Sequence, residues 1–468
     1  MPEAVVVGAG PNGLAAAVVL ARAGLDVTVL EAAAEVGGGL RSGESTLPGL
    51  LHDHCAAVHP TAAGSPFLDS LGLDRYGLRW RHAEIECAHP LADGRVATLH
   101  RSIDATAAGL GADSARWRAL FTTNYPKLAE DILRPLPHLP RHPIELARFG
   151  ALAALPAAVL ARSFTGEAAR ALFGGVAAHA FQPLGRMFTA AIALGLIAPA
   201  HHVGWPVAEG GSRSIARALA ALLTELGGKI ETGVRVRNAA QLPPADVTMY
   251  DLAPDQAAAI LGDRLPPRVA RAYRRFRRGP AAFKVDIAVE AGVPWRHQDV
   301  GRAGTVHLGG TFAEIAAGAR EINAGRLPGT PFVLVGQQYL ADPGRSNGNV
   351  HPLYAYAQVP HGYRGDATEA IIGRIEQFAP GFRDRILAIS TQPPAALAAD
   401  NPNFAGGDIL TGAKTAAQLL RGPRRVGDPY ATGIPGSYLC SAATPPGPGA
   451  HGMCGVNAAR RALRIVDA

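Results

Sequence analysis

Hydrophobic positions in the first thirty residues follow the order strand, helix, strand. Residues 4–7 form a continuously apolar run that ends at Gly8, which is typical of a buried parallel strand. Residues 11–24 carry leucine and valine at helical spacing, and residues 27–30 form a second apolar run. The pattern therefore predicts one βαβ unit at the start of the chain.

Helical patterns dominate from about residue 107 to 200, where alanine- and leucine-rich stretches are broken by prolines. This region predicts a mostly helical insert. The later predicted elements are a helix over 212–226, a strand over 229–237, strands over 282–289 and 331–335, a strand over 437–442 and a closing helix from about residue 454.

Together these elements predict an α/β fold with two interwoven domains. One is a Rossmann-like domain with a parallel sheet, and the other is a substrate domain of antiparallel sheet plus the helical insert. The expected segments are 1–75, 205–260 and 425–468 for the first domain, and 76–204 and 261–424 for the second.

Composition narrows the function classes. The 468 residues are 48% hydrophobic and 18% charged, which is ample for a large packed core. The net charge is +7, but the arginines are scattered, which argues against nucleic-acid binding. The four cysteines, Cys55, Cys87, Cys440 and Cys454, form no CxxC pair and no zinc spacing, as expected for a reduced, cytoplasmic protein.

Two apolar stretches, residues 149–161 and 187–198, fall short of the roughly 20 residues that a membrane helix requires. The chain also begins directly with a predicted strand, so we expect no signal peptide and no membrane span. Arg148 and Arg162 flank the first apolar stretch, which indicates either an apolar tunnel mouth or a surface that rests on an anionic membrane. An ordinary buried helical core is the alternative explanation.

The sharpest motif is the glycine-rich turn between the first strand and helix. In a GxGxxG motif, Gly8 permits the tight turn, Gly10 lets the backbone approach a pyrophosphate, and Gly13 lets helix and strand pack closely. Pro11 and Asn12 complete the turn, and the helix N-terminus offers free N–H groups to phosphates. The acid expected about 20 residues further on is Glu31, so the motif predicts a bound dinucleotide.

A second glycine-rich element distinguishes between FAD and NAD. Gly38, Gly39, Leu40 and Arg41 follow Glu31 closely and offer a second backbone approach with a cation beside the diphosphate. NAD-binding folds have no need of this element, so FAD is favoured. It resembles the element that follows the ribose acid in amine oxidase and phytoene desaturase flavoproteins.

A late GxGxxG match at residues 447–452 is followed by only 16 residues, too few for another ribose acid. We interpret it as the turn at the flavin end of the same cofactor. A closing helix that begins near Gly452 would direct its N-terminus at the flavin and stabilise negative charge there. Met453 and Cys454 are then the expected backbone neighbours.

The chain as a whole resembles the phytoene-desaturase-like branch of the amine oxidase and phytoene desaturase superfamily. Within it, the chain is similar to the bacterial group related to pyridine nucleotide-disulfide oxidoreductase domain-containing protein 2. The segments that carry the resemblance run from end to end and include VVVGAGPNGLAAAVVLARAGLDVTVLEA, GGGLRS, LPGLLHDHCAAVHP, GWPVAEGGSRSIARAL, NPNFAGGDI and YLCSAATPPGPGAHGMCGVNAA.

The resemblance implies non-covalent FAD in a GR2-type Rossmann domain. It also implies that the backbone of Val234 meets the adenine and that Gly210, Gly211 and Ser212 form a loop near the flavin. One departure is Pro448, which stands where the family has a third glycine and removes an N–H donor.

The sequence offers no obvious catalytic base. His54, His59 and His451 are the candidates for contact with flavin or substrate, and the alternative for each is an ordinary buried or loop histidine. His52 and His54 lack further ligands at a recognisable spacing, so no metal site is predicted. A GxSxG elbow is absent where a hydrolase would need it.

Three functions are compatible with these features. The first is an FAD-dependent dehydrogenase or desaturase, in which a hydrophobic small molecule transfers hydride to flavin N5 and oxygen, a quinone or another acceptor reoxidises the flavin. The second is a redox-neutral FAD-dependent isomerase of the carotenoid-isomerase type. The third is a non-catalytic lipid-binding relative, against which the intact glycines, Glu31 and Arg41 argue.

Overall fold

A computed structural model of the chain describes residues 2–136, 138–424 and 427–466. One parallel sheet and one mixed sheet organise these residues, and helices pack on both. Strands of the parallel sheet come from the beginning, the middle and the end of the chain, so the two units are interwoven.

The parallel sheet has five strands and is covered on both faces. In spatial order they are Ser437–Leu439, Val247–Tyr250, Glu3–Val7, Asp26–Leu30 and Lys229–Glu231. The central strand, Glu3–Val7, has four of its five residues buried. This position explains why its sequence is continuously apolar rather than alternating.

Helix Pro11–Arg22 packs on one face of this sheet between Arg213–Glu225 and Met453–Val466. The last helix approaches closely because Gly455 has no side chain: a Cβ there would lie 1.9 Å from the carbonyl oxygen of Asn12. Helices on the opposite face are Pro254–Leu261 and Pro267–Arg274.

The second sheet has seven strands. In spatial order they are Ile386–Gln392, Ala281–Glu290, Val350–Val359, Val333–Gly336, Ala303–Leu308, Ile85–Pro90 and Val96–Leu99. The sequence predicted an antiparallel sheet, but the pair formed by Ala303–Leu308 and Ile85–Pro90 is parallel. These two strands lie on either side of the insert in sequence, and no tight turn forces them to be antiparallel.

The helical insert packs against one face of the mixed sheet around an aromatic core that includes Trp117, Phe164 and Phe173. Its helices are Ile103–Ala108, Ser114–Phe121, Tyr125–Ile132, Pro143–Ala153, Ala157–Ala161, Glu167–Ala177 and Thr189–Val203. The mostly helical character that the sequence predicts here is therefore confirmed.

The remaining elements are shorter or peripheral. Two strand pairs are Ser42–Glu44 with Leu51–Asp53 and Trp80–Arg81 with Val207–Ala208. The other α-helices are Pro60–Ala63, Pro66–Asp69, Gln298–Gly301, Phe312–Asn323, Thr368–Phe378, Pro394–Asp400 and Ala416–Arg421.

Two predicted strands prove shorter than the sequence suggests. The strand predicted over 229–237 ends at Glu231, and the strand predicted over 437–442 ends at Leu439. Each stops where its neighbour in the sheet stops, so no ladder partner remains. Val234 lies beyond the strand, although its N–H still donates to the carbonyl oxygen of Glu31 at 2.8 Å.

Candidate dinucleotide and substrate site

A cavity of about 780 Å³ begins at the carboxyl ends of the parallel strands and continues between the mixed sheet and the helical insert. Ligands of open α/β sheets bind at this strand edge. The cavity brings together most of the predicted cofactor residues, namely Gly8, Gly10, Pro11, Asn12, Glu31, Gly38, Gly39, Leu40, Arg41 and Val234.

The first glycine-rich turn has the geometry that its motif predicts. Gly8 has a φ of +101°, which favours glycine. A Cβ on Gly13 would lie 2.0 Å from the carbonyl oxygen of Gly8, so the helix can only pack on the strand without a side chain there. The N-cap residue Gly10 has no side chain to cap this helix, and the carboxylate of Asp251 accepts the Gly13 N–H instead.

Glu31 holds this turn against the end of the second strand. Its two carboxylate oxygens accept hydrogen bonds from the N–H groups of Ala9 and Ala33, at 2.7 and 2.8 Å. Glu31 also lines the cavity, so one carboxylate both shapes the turn and faces the ligand space.

Arg41 fixes the second glycine-rich turn. Its Nη2 lies 2.6 Å from a carboxylate oxygen of Asp400, and its Nε donates to the carbonyl oxygen of Gly38 at 3.1 Å. Gly37 N–H donates to the carbonyl oxygen of Ala9, which joins the two turns. The cation expected beside the diphosphate is thus paired with Asp400, a carboxylate that the sequence pattern does not reveal.

Asp251 is a further acidic residue that the sequence analysis missed. It directly follows the strand Val247–Tyr250, and its carboxylate accepts the Gly13 N–H at 2.9 Å. Burial, the largest influence, raises the pKa of Asp251 to about 7, and Glu31 adds to the rise while the Gly13 and Gly10 N–H groups oppose it. A polar residue directly after a buried parallel strand is the signal that could have identified it.

The C-terminal turn forms another wall of the cavity through Pro448, Gly449 and His451. Gly452, Met453 and Cys454 lie behind this wall. A Cβ on Gly452 would lie 2.9 Å from the Cβ of Ala15, Met453 N–H donates to His451 Nδ1 at 3.0 Å, and Cys454 Sγ contacts the Gly447 carbonyl oxygen at 3.2 Å.

Lys414 lines the cavity and is almost completely buried. Its Nζ donates to the carbonyl oxygen of Leu410 at 2.9 Å. Burial lowers the pKa of Lys414 to about 8, and the nearby Asp408 opposes the change. A cation at this position favours a ligand that carries or develops negative charge.

The inner end of the cavity is an aromatic and aliphatic space, which we call the chamber. It is bounded by Phe149, His179, Phe181, Ile192, Leu196, Trp205, Leu334, Tyr354 and Tyr356. The mixed sheet supplies the last three, and helices and loops of the insert region supply the others. His179 Nε2 lies 3.1 Å from His307 Nε2, and burial lowers the pKa of His179 to about 4. The chamber is therefore lined by uncharged groups at neutral pH.

Two of the three candidate histidines line the cavity, and both are neutral. Burial lowers the pKa of His59 and of His451 to about 4. His59 Nε2 lies 2.8 Å from the hydroxyl of Ser212, which connects it to the Gly210–Ser212 loop. His54 does not line the cavity, and its backbone N–H donates to the carbonyl oxygen of Arg41.

A buried ion-pair network, which we call the clamp, joins the parallel-sheet unit to the mixed-sheet unit. Arg345 Nη1 contacts Asp53 Oδ2 at 2.5 Å, and Arg345 Nε contacts Asp342 Oδ2 at 3.0 Å. Asp53 also accepts the backbone N–H of Ser212 at 2.7 Å, and Asp342 accepts that of Gly210 at 2.9 Å. The clamp therefore positions the glycine-containing loop that carries Ser212.

Charge is also buried beneath the chamber. Lys284 and Asp286 pair on the strand Ala281–Glu290, and both side chains are at most 2% exposed. Lys284 Nζ lies 4.9 Å from the ring centroid of Tyr354, a cation–π contact that supports the chamber wall.

Other kinds of site find no support in the described part of the chain. No three His, Cys, Asp or Glu side chains there are grouped as a metal ion would require. Over the same residues, no helix combines the length and apolar character of a membrane span. All four cysteines are free thiols.

Comparison with known proteins supports the dinucleotide domain. Residues 6–71 match the model of an NAD(P)-binding Rossmann-like domain. The chain is 32% identical over 263 residues to a hydroxyneurosporene desaturase of Cereibacter sphaeroides. That match covers 50% of this chain and 50% of the desaturase, so it spans about half the length of the curated relative.

Solved structures share the whole architecture at low sequence identity. An oxidoreductase from Methanosarcina mazei superposes with a TM-score of 0.63 at 16% identity, covering 100% of both chains. Putrescine oxidase bound to putrescine gives a TM-score of 0.61 at 18% identity, covering 100% of this chain and 99% of the oxidase. These comparisons confirm the predicted fold with a Rossmann-like domain: the chain shares the overall architecture of these oxidoreductases and is similar to the desaturase over half its length.

Proposed function

We propose that this protein is an FAD-dependent dehydrogenase or desaturase that oxidises an uncharged, largely apolar small molecule. One observation carries the proposal: a single cavity connects the dinucleotide-binding turn and Glu31 with the apolar chamber. A cofactor held at one end would therefore share a continuous space with a substrate at the other.

The residues present fit the ADP half of FAD. Gly8, Gly10 and Gly38 all line the cavity, and the two glycine-rich turns pack closely, since a Cβ on Gly38 would lie 3.3 Å from the Cα of Gly10. The N-terminus of helix Pro11–Arg22, where the Asp251 carboxylate accepts the Gly13 N–H, would direct its positive dipole end at the diphosphate. Glu31 supplies acceptors for the ribose hydroxyls, and the backbone around Val234 lines the adjacent wall.

When bound, FAD supplies two-electron redox chemistry at its isoalloxazine ring. The chain's own contribution is positioning and electrostatics. Lys414 lies on the side of the cavity formed by the C-terminal turn, where its charge favours negative charge on a bound ligand. The neutral imidazoles of His59 and His451 can accept or donate one hydrogen bond without adding charge.

The chamber favours a neutral substrate. None of the side chains that define it carries a charge near neutral pH, and the mixed sheet contributes the rings of Tyr354 and Tyr356. An ammonium or carboxylate group there would lack a partner, and burial of an unpaired charge is costly. Although the fold is shared with putrescine oxidase, we therefore propose a hydrophobic substrate like that of a desaturase, with an acceptor that reoxidises the cofactor.

Replacing Glu31 with alanine tests the cofactor half of the proposal. We expect the FAD dissociation constant to rise by about 30-fold, because a charge-assisted hydrogen bond contributes about 2 kcal/mol. The measurement is fluorescence titration of the apoprotein with FAD, and NAD titrated in parallel should bind far more weakly. Glu3→Ala is the matched control, since Glu3 is an exposed carboxylate at the opposite end of the first strand. Equal FAD affinity for Glu31→Ala and the control would contradict the assignment.

We further propose that the insert contacts an anionic membrane next to the chamber. Its surface exposes large apolar side chains, including Leu139 at 89% and Ile144 at 73%. Four arginines lie close together beside this surface, namely Arg134, Arg141, Arg460 and Arg464. Burial and then the other three guanidinium groups lower the pKa of Arg460. Helix Pro143–Ala153 carries both the exposed Ile144 and the chamber residue Phe149.

This membrane surface has a direct test. The protein should float with phosphatidylglycerol-containing liposomes and not with purely phosphatidylcholine liposomes, because apolar insertion and arginine attraction both contribute to binding. The double variant Leu139→Ser/Ile144→Ser should lose flotation, while Leu387→Ser, an exposed leucine on the mixed sheet, should retain it. If neither the wild-type protein nor the Leu387→Ser control floats with anionic liposomes, the membrane contact is ruled out.

A further inference from the structure

Asp251 places a carboxylate inside the predicted diphosphate site. Its side chain accepts the Gly13 N–H at the N-terminus of helix Pro11–Arg22, and a Cβ on Gly10 would lie only 2.5 Å from Asp251 Oδ2. Asp251 also lines the cavity together with Gly8, Gly10 and Asn12. The carboxylate thus already occupies part of the site that two glycines keep open for an anion.

The surroundings of Asp251 offer no compensating cation. Among the described residues, Asp251 forms no ion pair, and the charged group that acts on it is a second carboxylate, Glu31. The thiols of Cys440 and Cys454 also face it; burial raises the pKa of both, that of Cys454 to about 12, so they are neutral. The Asn403 amide donates to the backbone carbonyl oxygen of Asp251 and carries no charge.

We propose that Asp251 is a cofactor-binding residue that takes up one proton when a dinucleotide diphosphate enters the glycine-rich turn. The inference rests on the proposed function, because it requires that FAD binds here. In this step the Asp251 carboxylate takes up a proton as FAD binds. A carboxylic acid then lies beside the bound FAD, and no electron is transferred. Two negative groups side by side in a buried site would otherwise repel each other strongly.

The direction of the pH dependence follows from linkage. In the free protein the Asp251 pKa is about 7, and an adjacent diphosphate raises it further, so the bound state holds more protons than the free state. Affinity for FAD is then greatest below pH 7 and falls as pH rises above it. Between pH 6 and pH 8 the FAD dissociation constant should increase about tenfold.

The test is isothermal titration calorimetry of apoprotein with FAD at pH 8, in two buffers with different ionisation enthalpies. The difference in observed enthalpy reports the protons taken up, and we expect close to one per FAD for the wild-type protein. In Asp251→Asn, uptake should disappear and affinity should become independent of pH. At pH 8 that variant should bind FAD about tenfold more tightly than wild type, because the amide keeps the shape without the charge.

Lys414 is the other group in the cavity whose pKa, about 8, falls in this range. Proton uptake that persists in Asp251→Asn and disappears in Lys414→Met would overturn the proposal and assign the proton to Lys414. Wild-type protein that binds FAD without proton uptake would also overturn it, whether or not the variants fold. Wild-type protein that binds no FAD at either pH would instead refute the proposed function on which the inference rests.

Discussion

Gly13→Ala is expected to abolish FAD retention and to destabilise the protein by at least about 3 kcal/mol, at the upper end of overpacking costs. The added Cβ would lie 2.0 Å from the Gly8 carbonyl oxygen and 3.0 Å from the Cβ of Asp251. The first of these atoms is backbone, so the clash cannot be relieved by a side-chain rotation. The helix would have to move off the strand, and its N-terminus would leave the diphosphate site.

The measurement is the flavin-to-protein absorbance ratio of the purified variant, together with its urea unfolding curve. Gly150→Ala is the matched control, because a Cβ at Gly150 meets nothing within 4 Å and the residue lies in the exposed part of an insert helix. The control should retain flavin with unchanged or slightly higher stability. A Gly13→Ala protein with wild-type flavin content and stability would show that helix and strand are packed differently.

Arg345→Met is expected to destabilise the protein by about 3–5 kcal/mol, since it leaves a buried carboxylate without its cation. Arg345 and Asp53 are at most 1% exposed, and Asp342 is 6% exposed. Burial alone would raise the pKa of Asp53, but Arg345 and the Ser212 N–H hold it below its ordinary value. Without Arg345, Asp53 would take up a proton or draw in water, and the Gly210–Ser212 loop would lose its anchor.

Urea unfolding followed by circular dichroism measures this cost. The control is Arg302→Met, which removes an ion pair with Glu84 in which both side chains are at least 40% exposed. Exposed pairs of this kind contribute about 1 kcal/mol or less. The lowered Asp53 pKa also means that the clamp stabilises the fold above the ordinary carboxyl range and is lost in acid, so the difference between wild type and variant should shrink at low pH. Equal losses in the free energy of unfolding for Arg345→Met and Arg302→Met would show that the clamp does not stabilise the fold as proposed.

The dinucleotide half of the site could be predicted because its interactions are local. Glu31 and Ala9, which form a hydrogen bond, are 22 residues apart, and the intervening strand, turn and helix have distinct patterns. The glycines report backbone geometry directly, because only they fit a φ of +101° at Gly8 or the close packing at Gly13. One local stretch of sequence therefore predicts the turn, the helix and the ribose acid together.

The rest of the site depends on contacts between distant segments. Asp251 meets Gly13 across 238 residues, and Asp53 meets Arg345 across 292. The tyrosines of the chamber appear in the sequence only as part of an ordinary strand pattern, Val350–Val359, and nothing local marks which strand face meets the insert. The sequence also predicts the ends of two strands wrongly. Each of these strands ends where its neighbour in the sheet ends, and not at a residue that disfavours strands.

The central claim, that this fold holds FAD non-covalently, is tested most directly by the absorbance spectrum of the purified protein before and after denaturation and centrifugal filtration. We expect the two visible bands of oxidised flavin, with FAD recovered in the filtrate. A colourless protein that remains colourless after incubation with FAD would contradict the account, and it would favour the lipid-binding alternative for the chamber.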